Sequence, residues 1–151
     1  MKVLDVGCGP GRLSVPAAQM VGPSGEVIAI DIQPGMLGRA KAKADKTNVH
    51  NIQFRQIAAG SGTLERNLYD RALLVTVLGE IPDREAALKE IFRSLKPGGL
   101  LSVTEIIFDP HYQGRKKILK LAGIAGFKEK HYFGNSLQFT YLFEKPLVVD
   151  R

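Results

Sequence analysis

Cysteine is nearly absent. Cys8 is the only one, which excludes an internal disulfide framework, and no CxxC, HxxxH or His/Cys cluster has the spacing of a zinc site. No apolar run approaches the roughly 18 residues of a membrane span. The amino-terminal MKVLDVGCGPG is not a secretory signal, because Asp5 interrupts its apolar stretch and no small-residue cleavage site follows. Together these absences point to the cytosol. Aromatic residues are scarce at 7%, and none is interleaved with Lys41, Lys43 and Lys46, with Arg115, Lys116, Lys117 and Lys120, or with Lys128 and Lys130 in the manner of a base-stacking platform. The net charge of +6 therefore reads as a solvated surface, with an RNA or other anionic partner as the alternative. What is present is 151 residues, 44% hydrophobic and 24% charged, a composition and length suited to one domain with its own core.

Short apolar runs alternate with helical patterns. The run Val3 to Val6 ends in glycines, and residues 12–20 follow as a helix whose start Pro16 displaces. The turn Gly22-Pro23-Ser24-Gly25 leads to a strand over 27–30 closed by Asp31. Residues 36–46 read as a helix and 52–57 as a strand. A fourth strand over 72–78 precedes a helix over 83–95, with Ala87, Leu88, Ile91, Phe92 and Leu95 at helical spacing. Lys96-Pro97-Gly98-Gly99 stops that helix. A fifth strand covers 100–107, and a helix over 114–125 turns Ile118, Leu119, Ala122 and Ile124 inward. Residues 127–133 and 137–144, joined by Gly134-Asn135-Ser136, leave no room for a helix and form an antiparallel hairpin. Strands apolar on both faces and separated by helices imply a doubly wound, Rossmann-like α/β domain. Its sheet is mostly parallel, seven-stranded, and ends in an antiparallel hairpin. The domain covers 1–145, with 146–151 as a loosely held tail.

A strand leading into Gly7-Cys8-Gly9-Pro10-Gly11 and then a helix is where an α/β sheet binds adenosine-containing ligands. Glycine permits positive φ and leaves room for a ligand against bare backbone; a tight structural turn is the alternative. A dinucleotide fingerprint needs a small third residue at position 12, where Arg12 stands, which counts against NAD. Asp31 closes the second strand, where a carboxylate can accept from both ribose hydroxyls. Its alternative is a turn-capping Asp before Pro34.

The strings VLDVGCGPG from Val3 and VGPSGEVIAIDIQPGML from Val21 resemble the first two motifs of class I S-adenosylmethionine-dependent methyltransferases, in particular the ubiquinone and menaquinone biosynthesis branch. YDRALLVTVLGEIPD from Tyr69 resembles the family's fourth strand, LKPGGLLSVTE from Leu95 its fifth, and AGF with the following hairpin its antiparallel end. The resemblance implies S-adenosylmethionine as cofactor, with Gly7, Cys8, Gly9 and Gly11 lining it and Asp31 on the ribose diol. It also implies Asp5 near the amino group, Ile32 beside the adenine, and backbone at Val77 and Leu78 facing the methionyl group. A loop-organising carboxylate is the alternative for Asp5, and plain core for Val77 and Leu78. Two departures stand out. Ile57-Ala58-Ala59-Gly60-Ser61 lacks the acid that the family commonly places after its third strand for the adenine. The helices that usually precede the first strand and cover the substrate are also missing, from which we expect a homodimer or a partner chain that completes the site.

Methyl transfer from a sulfonium needs chiefly an aligned nucleophile and a site that excludes water, and a base only where the acceptor must lose a proton. Glu80, Glu105 and His111 are the catalytic candidates, with Asp109 beside them. Their alternatives are a solvated acid for Glu80, an ion-paired acid for Glu105, a turn-forming Asp for Asp109 and an exposed ring for His111. No metal site is expected unless Glu80, Glu105 and Asp109 converge. The missing DPPY or NPPY tetrapeptide after the fourth strand disfavours nucleobase amines, and Cys8 is not placed for attack on a pyrimidine. The expected function is transfer of a methyl group from S-adenosylmethionine to a small or lipophilic acceptor. A non-catalytic cofactor-binding partner subunit and an RNA-directed enzyme are the competing readings.

Overall fold

A computed structural model describes residues 1–147; residues 148–151, most of the expected tail, lie outside the described residues. In chain order the elements are β1 (Lys2–Val6), α1 (Ser14–Val21), β2 (Glu26–Asp31), α2 (Pro34–Lys46), β3 (Ile52–Gln56), β4 (Tyr69–Val75), α3 (Arg84–Ser94), β5 (Leu95–Ile106), α4 (Arg115–Ala125), β6 (Lys128–Gly134) and β7 (Gln138–Glu144). The seven strands form one mixed sheet in the order β3-β2-β1-β4-β5-β7-β6. It is parallel except where β7 runs against β5 and β6. This is the doubly wound arrangement expected from the alternating pattern. The chain divides into two compact units, Met1–Ala58 and the part from Ala59 onward.

In the first unit β1 pairs parallel to β2, with Val3 opposite Val27 and Val6 opposite Ile30, and β2 pairs parallel to β3. Leu4, Val6, Val27, Ile28, Ala29 and Ile30 are all buried. Residues on both faces of these strands are therefore covered, and each large aliphatic side chain contributes about 1.5–3 kcal/mol by leaving water. α1 begins at Ser14, two residues after the expected start, which puts Pro16 in the first turn, where no intrahelical partner needs its missing N–H. At the other end of α1 no basic residue meets the last turn. The Asn51 side-chain amide takes that place, donating to the carbonyls of Ala18 at 2.9 Å, Gly22 at 2.9 Å and Gly25 at 3.2 Å.

In the second unit β4 pairs parallel to β5. Two strand boundaries and one helix face differ from expectation for physical reasons that the structure shows. β4 ends at Val75 rather than 78, because Thr76 takes a left-handed φ of 54° and a single 3-10 turn follows at Leu78–Glu80. β5 begins at Leu95, immediately after α3: Leu95 pairs with Tyr69 and Leu100 with Arg71, so Lys96 to Gly99 bulge out of the ladder. That bulge is tied to the end of β7 by the Gly98 N–H on the Lys145 carbonyl and the Lys145 N–H on the Gly99 carbonyl. In α4, Ile118 and Ala122 are buried as expected, but Ile124 is 47% exposed, since two residues past Ala122 is roughly 200° around the helix. The hairpin forms as expected, with Phe139, Tyr141 and Phe143 alternating into the core and the Asn135 side-chain oxygen accepting from the N–H groups of Leu137 and Gln138.

Asn51→Ala removes the side-chain donor that these three carbonyls share, the Gly22 carbonyl keeping only the Gly25 N–H, and is expected to lower stability by about 1–3 kcal/mol, read as a lower urea midpoint at unchanged slope; an unchanged midpoint would show that water replaces the amide at no loss.

Candidate functional site

The first unit holds the glycine loop. Gly7, Gly9 and Gly11 all have positive φ, of 65°, 54° and 86°, so each stands in a conformation that L side chains avoid. Their surroundings separate their roles. A Cβ on Gly9 would meet nothing within 4 Å, whereas one on Gly11 would lie 3.0 Å from the Ala40 Cβ. Gly9 therefore offers bare backbone to open space, while Gly11 is held small by α2 packing against the loop.

Asp31, at the end of β2, grips this loop. Its Oδ2 accepts from the Gly9 N–H at 3.0 Å and its Oδ1 from the Gln33 N–H at 2.8 Å. Each oxygen keeps a further lone pair, so a diol can still bind. The turn-forming role expected as the alternative is thus observed, and it leaves lone pairs free on both oxygens. Ile32 follows, 63% exposed, an apolar surface that fits an adenine ring. The Cys8 N–H donates to the Ile30 carbonyl at 2.9 Å, and its thiol, pushed up to about 12 mainly by burial and then by Asp5 and Asp31, is inert as a nucleophile.

Asp5 is 3% exposed and its Oδ2 accepts a 2.6 Å hydrogen bond from the Ser14 hydroxyl. Burial raises its pKa to about 6, the Ser14 bond opposes this, and the nearby Asp31 charge adds to it. This is the loop-organising carboxylate that the sequence left as the alternative. Ser14 itself was not singled out in the sequence; a serine at the opening of the helix after a glycine loop was the only available signal.

The second unit holds the catalytic candidates. Val77 and Leu78 are not in a strand: Leu78 opens the 3-10 turn with a fully buried side chain, and its carbonyl accepts from Arg84 Nε at 3.1 Å, as the Gly79 carbonyl does from Arg84 at 2.9 Å. Leu78 is thus core, and its carbonyl already has a protein donor. Glu80 ends this turn and is exposed. His111 is exposed as well, and its carbonyl lies so close to Gly79 that any Cβ there would collide with it. The turns bearing Glu80 and His111 therefore pack against each other. Asp109 accepts from the His111 N–H at 2.8 Å, the turn-forming role that its position before Pro110 allowed. Glu105 departs from expectation. At 1% exposed it is covered, not presented to an acceptor, because β5 places it opposite Phe139 on β7. Among the described residues Glu80, Glu105 and Asp109 do not gather into a metal-binding group. After the third strand, where an acid is missing, the Gly60 N–H is held by Glu90 of α3 at 3.0 Å, a long-range partner that no local pattern reveals. Arg84 and Gln113 were missed for the same reason.

A mostly parallel sheet with an antiparallel end and a glycine loop gripped by the acid closing β2 define the class as a Rossmann-like methyltransferase fold. The chain belongs to the Methyltransferase domain family, whose model matches residues 1–139; that membership implies S-adenosylmethionine as cofactor. It is 40% identical over 99 residues to the demethylmenaquinone methyltransferase of Lactococcus lactis subsp. lactis (strain IL1403), covering 66% of this chain and 39% of that protein. It is 38% identical over 118 residues to the ubiquinone/menaquinone biosynthesis C-methyltransferase UbiE of Shewanella sp. (strain W3-18-1), covering 77% of this chain and 47% of that one. The chain thus spans less than half the length of these relatives. Among solved structures, a SAM dependent methyltransferase from Aquifex aeolicus superposes with a TM-score of 0.88 at 23% identity, covering 96% of this chain and 82% of that one. The [4+2]-cyclase SpnF gives 0.86 at 19%, covering 97% and 75%. These two likenesses concern fold alone.

Asp5 yields a prediction with a definite sign. Its raised value means that its contribution to stability is complete below about 3.8 and is lost as pH rises through about 6. Asp5→Asn keeps an acceptor for Ser14 and removes the charge. The variant should lack this decline between about pH 4 and 6 and exceed the parent at pH 7 by on the order of 2 kcal/mol. Parallel stability curves for the two would mean that Asp5 titrates normally.

Proposed function

We propose that this chain binds S-adenosylmethionine on the loop from Gly7 to Gly11 and transfers its methyl group to a small lipophilic acceptor. The observation that carries the reading is the open face of Gly9 with the Asp31 carboxylate bonded to its N–H. Bare backbone and a carboxylate with spare lone pairs fit an adenosyl group, and exposed Ile32 fits its base. When bound, the cofactor would supply an electrophilic methyl on a sulfonium, so that an electron pair of the acceptor, a lone pair or a ring π pair, takes the methyl while the carbon–sulfur bond electrons return to sulfur. The chain's own part is to bind, orient and exclude water. Asp31 holds the ribose hydroxyls and keeps Gly9 in place. Glu80 and His111, exposed on adjoining turns, are the groups able to take a proton from an acceptor.

Relatives named for quinone biosynthesis make a lipophilic quinone precursor the first acceptor to test. Ile107 and Phe108, 42% and 82% exposed after β5, are apolar side chains that such an acceptor or a second chain would cover. No helix among the described residues is long and apolar enough to cross a membrane, and the single free thiol fits the cytosol.

Asp31→Ala should weaken cofactor binding by about 1.5–3 kcal/mol. Gly9→Ala, whose Cβ enters open space, should abolish binding while the fold survives with a strain of about 1 kcal/mol. Parental affinity in both would place the ribose elsewhere. Transfer of labelled methyl from S-adenosylmethionine to quinone precursors and to cell extract tests the activity; binding without transfer to any acceptor would favour the non-catalytic partner subunit, and transfer to RNA alone the RNA-directed enzyme. For an acceptor that must lose a proton, His111→Ala and Glu80→Gln should each lower the rate by about 10²–10⁴ at unchanged cofactor affinity. Parental rates in both would mean catalysis by positioning alone.

A further inference from the structure

Among the described residues, three buried side-chain oxygens lack a partner, all in the second unit: Glu90 Oε2, Glu105 Oε1 and Gln113 Oε1, of which the last two belong to residues that meet. Glu105 is 1% and Gln113 7% exposed. The two residues already meet, since the Gln113 backbone N–H lies against the Glu105 carboxyl and favours its charged form. Gln113 has no freedom to turn its amide around: its Nε2 donates to the carbonyls of His111 at 3.0 Å and Tyr112 at 3.2 Å, so its oxygen must remain an acceptor. Two buried acceptors with no donor between them are costly, and one proton on the carboxyl removes the deficit.

We propose that Glu105 is a protonated acid whose hydroxyl donates to the Gln113 side-chain oxygen, and that this proton latches residues 109–113 onto β5. The charged groups around it agree. Asp109, in the latched segment, disfavours a second negative charge, Arg84 of α3 favours it, and the residue opposite on β7 is apolar Phe139. Burial outweighs the Gln113 bond and Arg84, and the acid is pushed up to about 7. The latch matters because the segment carries His111, whose carbonyl seats on Gly79, and because Arg84 holds the Leu78 and Gly79 carbonyls. Glu105 is therefore a positioning residue for the turns that bear His111 and Glu80, and touches no substrate itself.

A raised acid stabilises the fold fully below its ordinary value of 4.5 and loses that contribution as pH rises through about 7. Amide hydrogen exchange at Tyr112 and Gln113 of the full chain, corrected for intrinsic rates, reads the latch without cofactor or acceptor. It is thus independent of the proposed activity. In the parent, protection there should fall about tenfold between roughly pH 6 and 8. Glu105→Gln supplies a permanent donor and should hold the low-pH protection across the whole range, while Glu105→Ala should lack protection throughout. Equal pH profiles for parent and Glu105→Gln would overturn the proposal. Should the variants fail to fold, the carboxyl-carbon NMR titration of Glu105 in the parent decides: a midpoint near 7 supports the latch and one near 4.5 refutes it.

Discussion

The glycine loop depends on one carboxylate. Asp31 ends a strand buried on both sides, and from that fixed point it holds the N–H of Gly9 and that of Gln33. Without an acceptor at that place, a run of positive-φ residues would have little to select one conformation, because glycine gives up more backbone freedom than any other residue on ordering. Asp5 and Ser14 fasten the other side of the same loop. Burial pushes Asp5 up to about 6, the Ser14 bond opposes this, and the nearby Asp31 charge adds to it.

The reaction is less constrained than the binding. A fold of this kind hosts different chemistries, and a [4+2]-cyclase with the same architecture illustrates it. Reaction must be argued from the groups that can reach an acceptor. Here those groups divide by exposure: Glu80 and His111 are open to solvent, while Glu105 is covered and supports the segment beside them.

Much of this was legible in the sequence where the signal was local. The alternation of apolar strands and helical stretches carried the sheet, and the glycines with Asp31 carried the turn after β1 and the end of β2, because turn chemistry and strand endings are written in adjacent residues. What stayed hidden depends on distant partners. Thr76 ends β4 by a left-handed turn that threonine rarely signals, so Val77 and Leu78 read as strand. Leu95 enters β5 because Tyr69 pairs with it, which the Pro97-Gly98-Gly99 breaker obscures. Glu105 read as an open acid because its covering by β7 and Gln113 arises only in the fold.

The most direct measurement is calorimetric titration of the purified chain with S-adenosylmethionine, S-adenosylhomocysteine and NAD. The account predicts one-to-one binding of both sulfur compounds and none of NAD. Binding of NAD with no heat from either sulfur compound would contradict it.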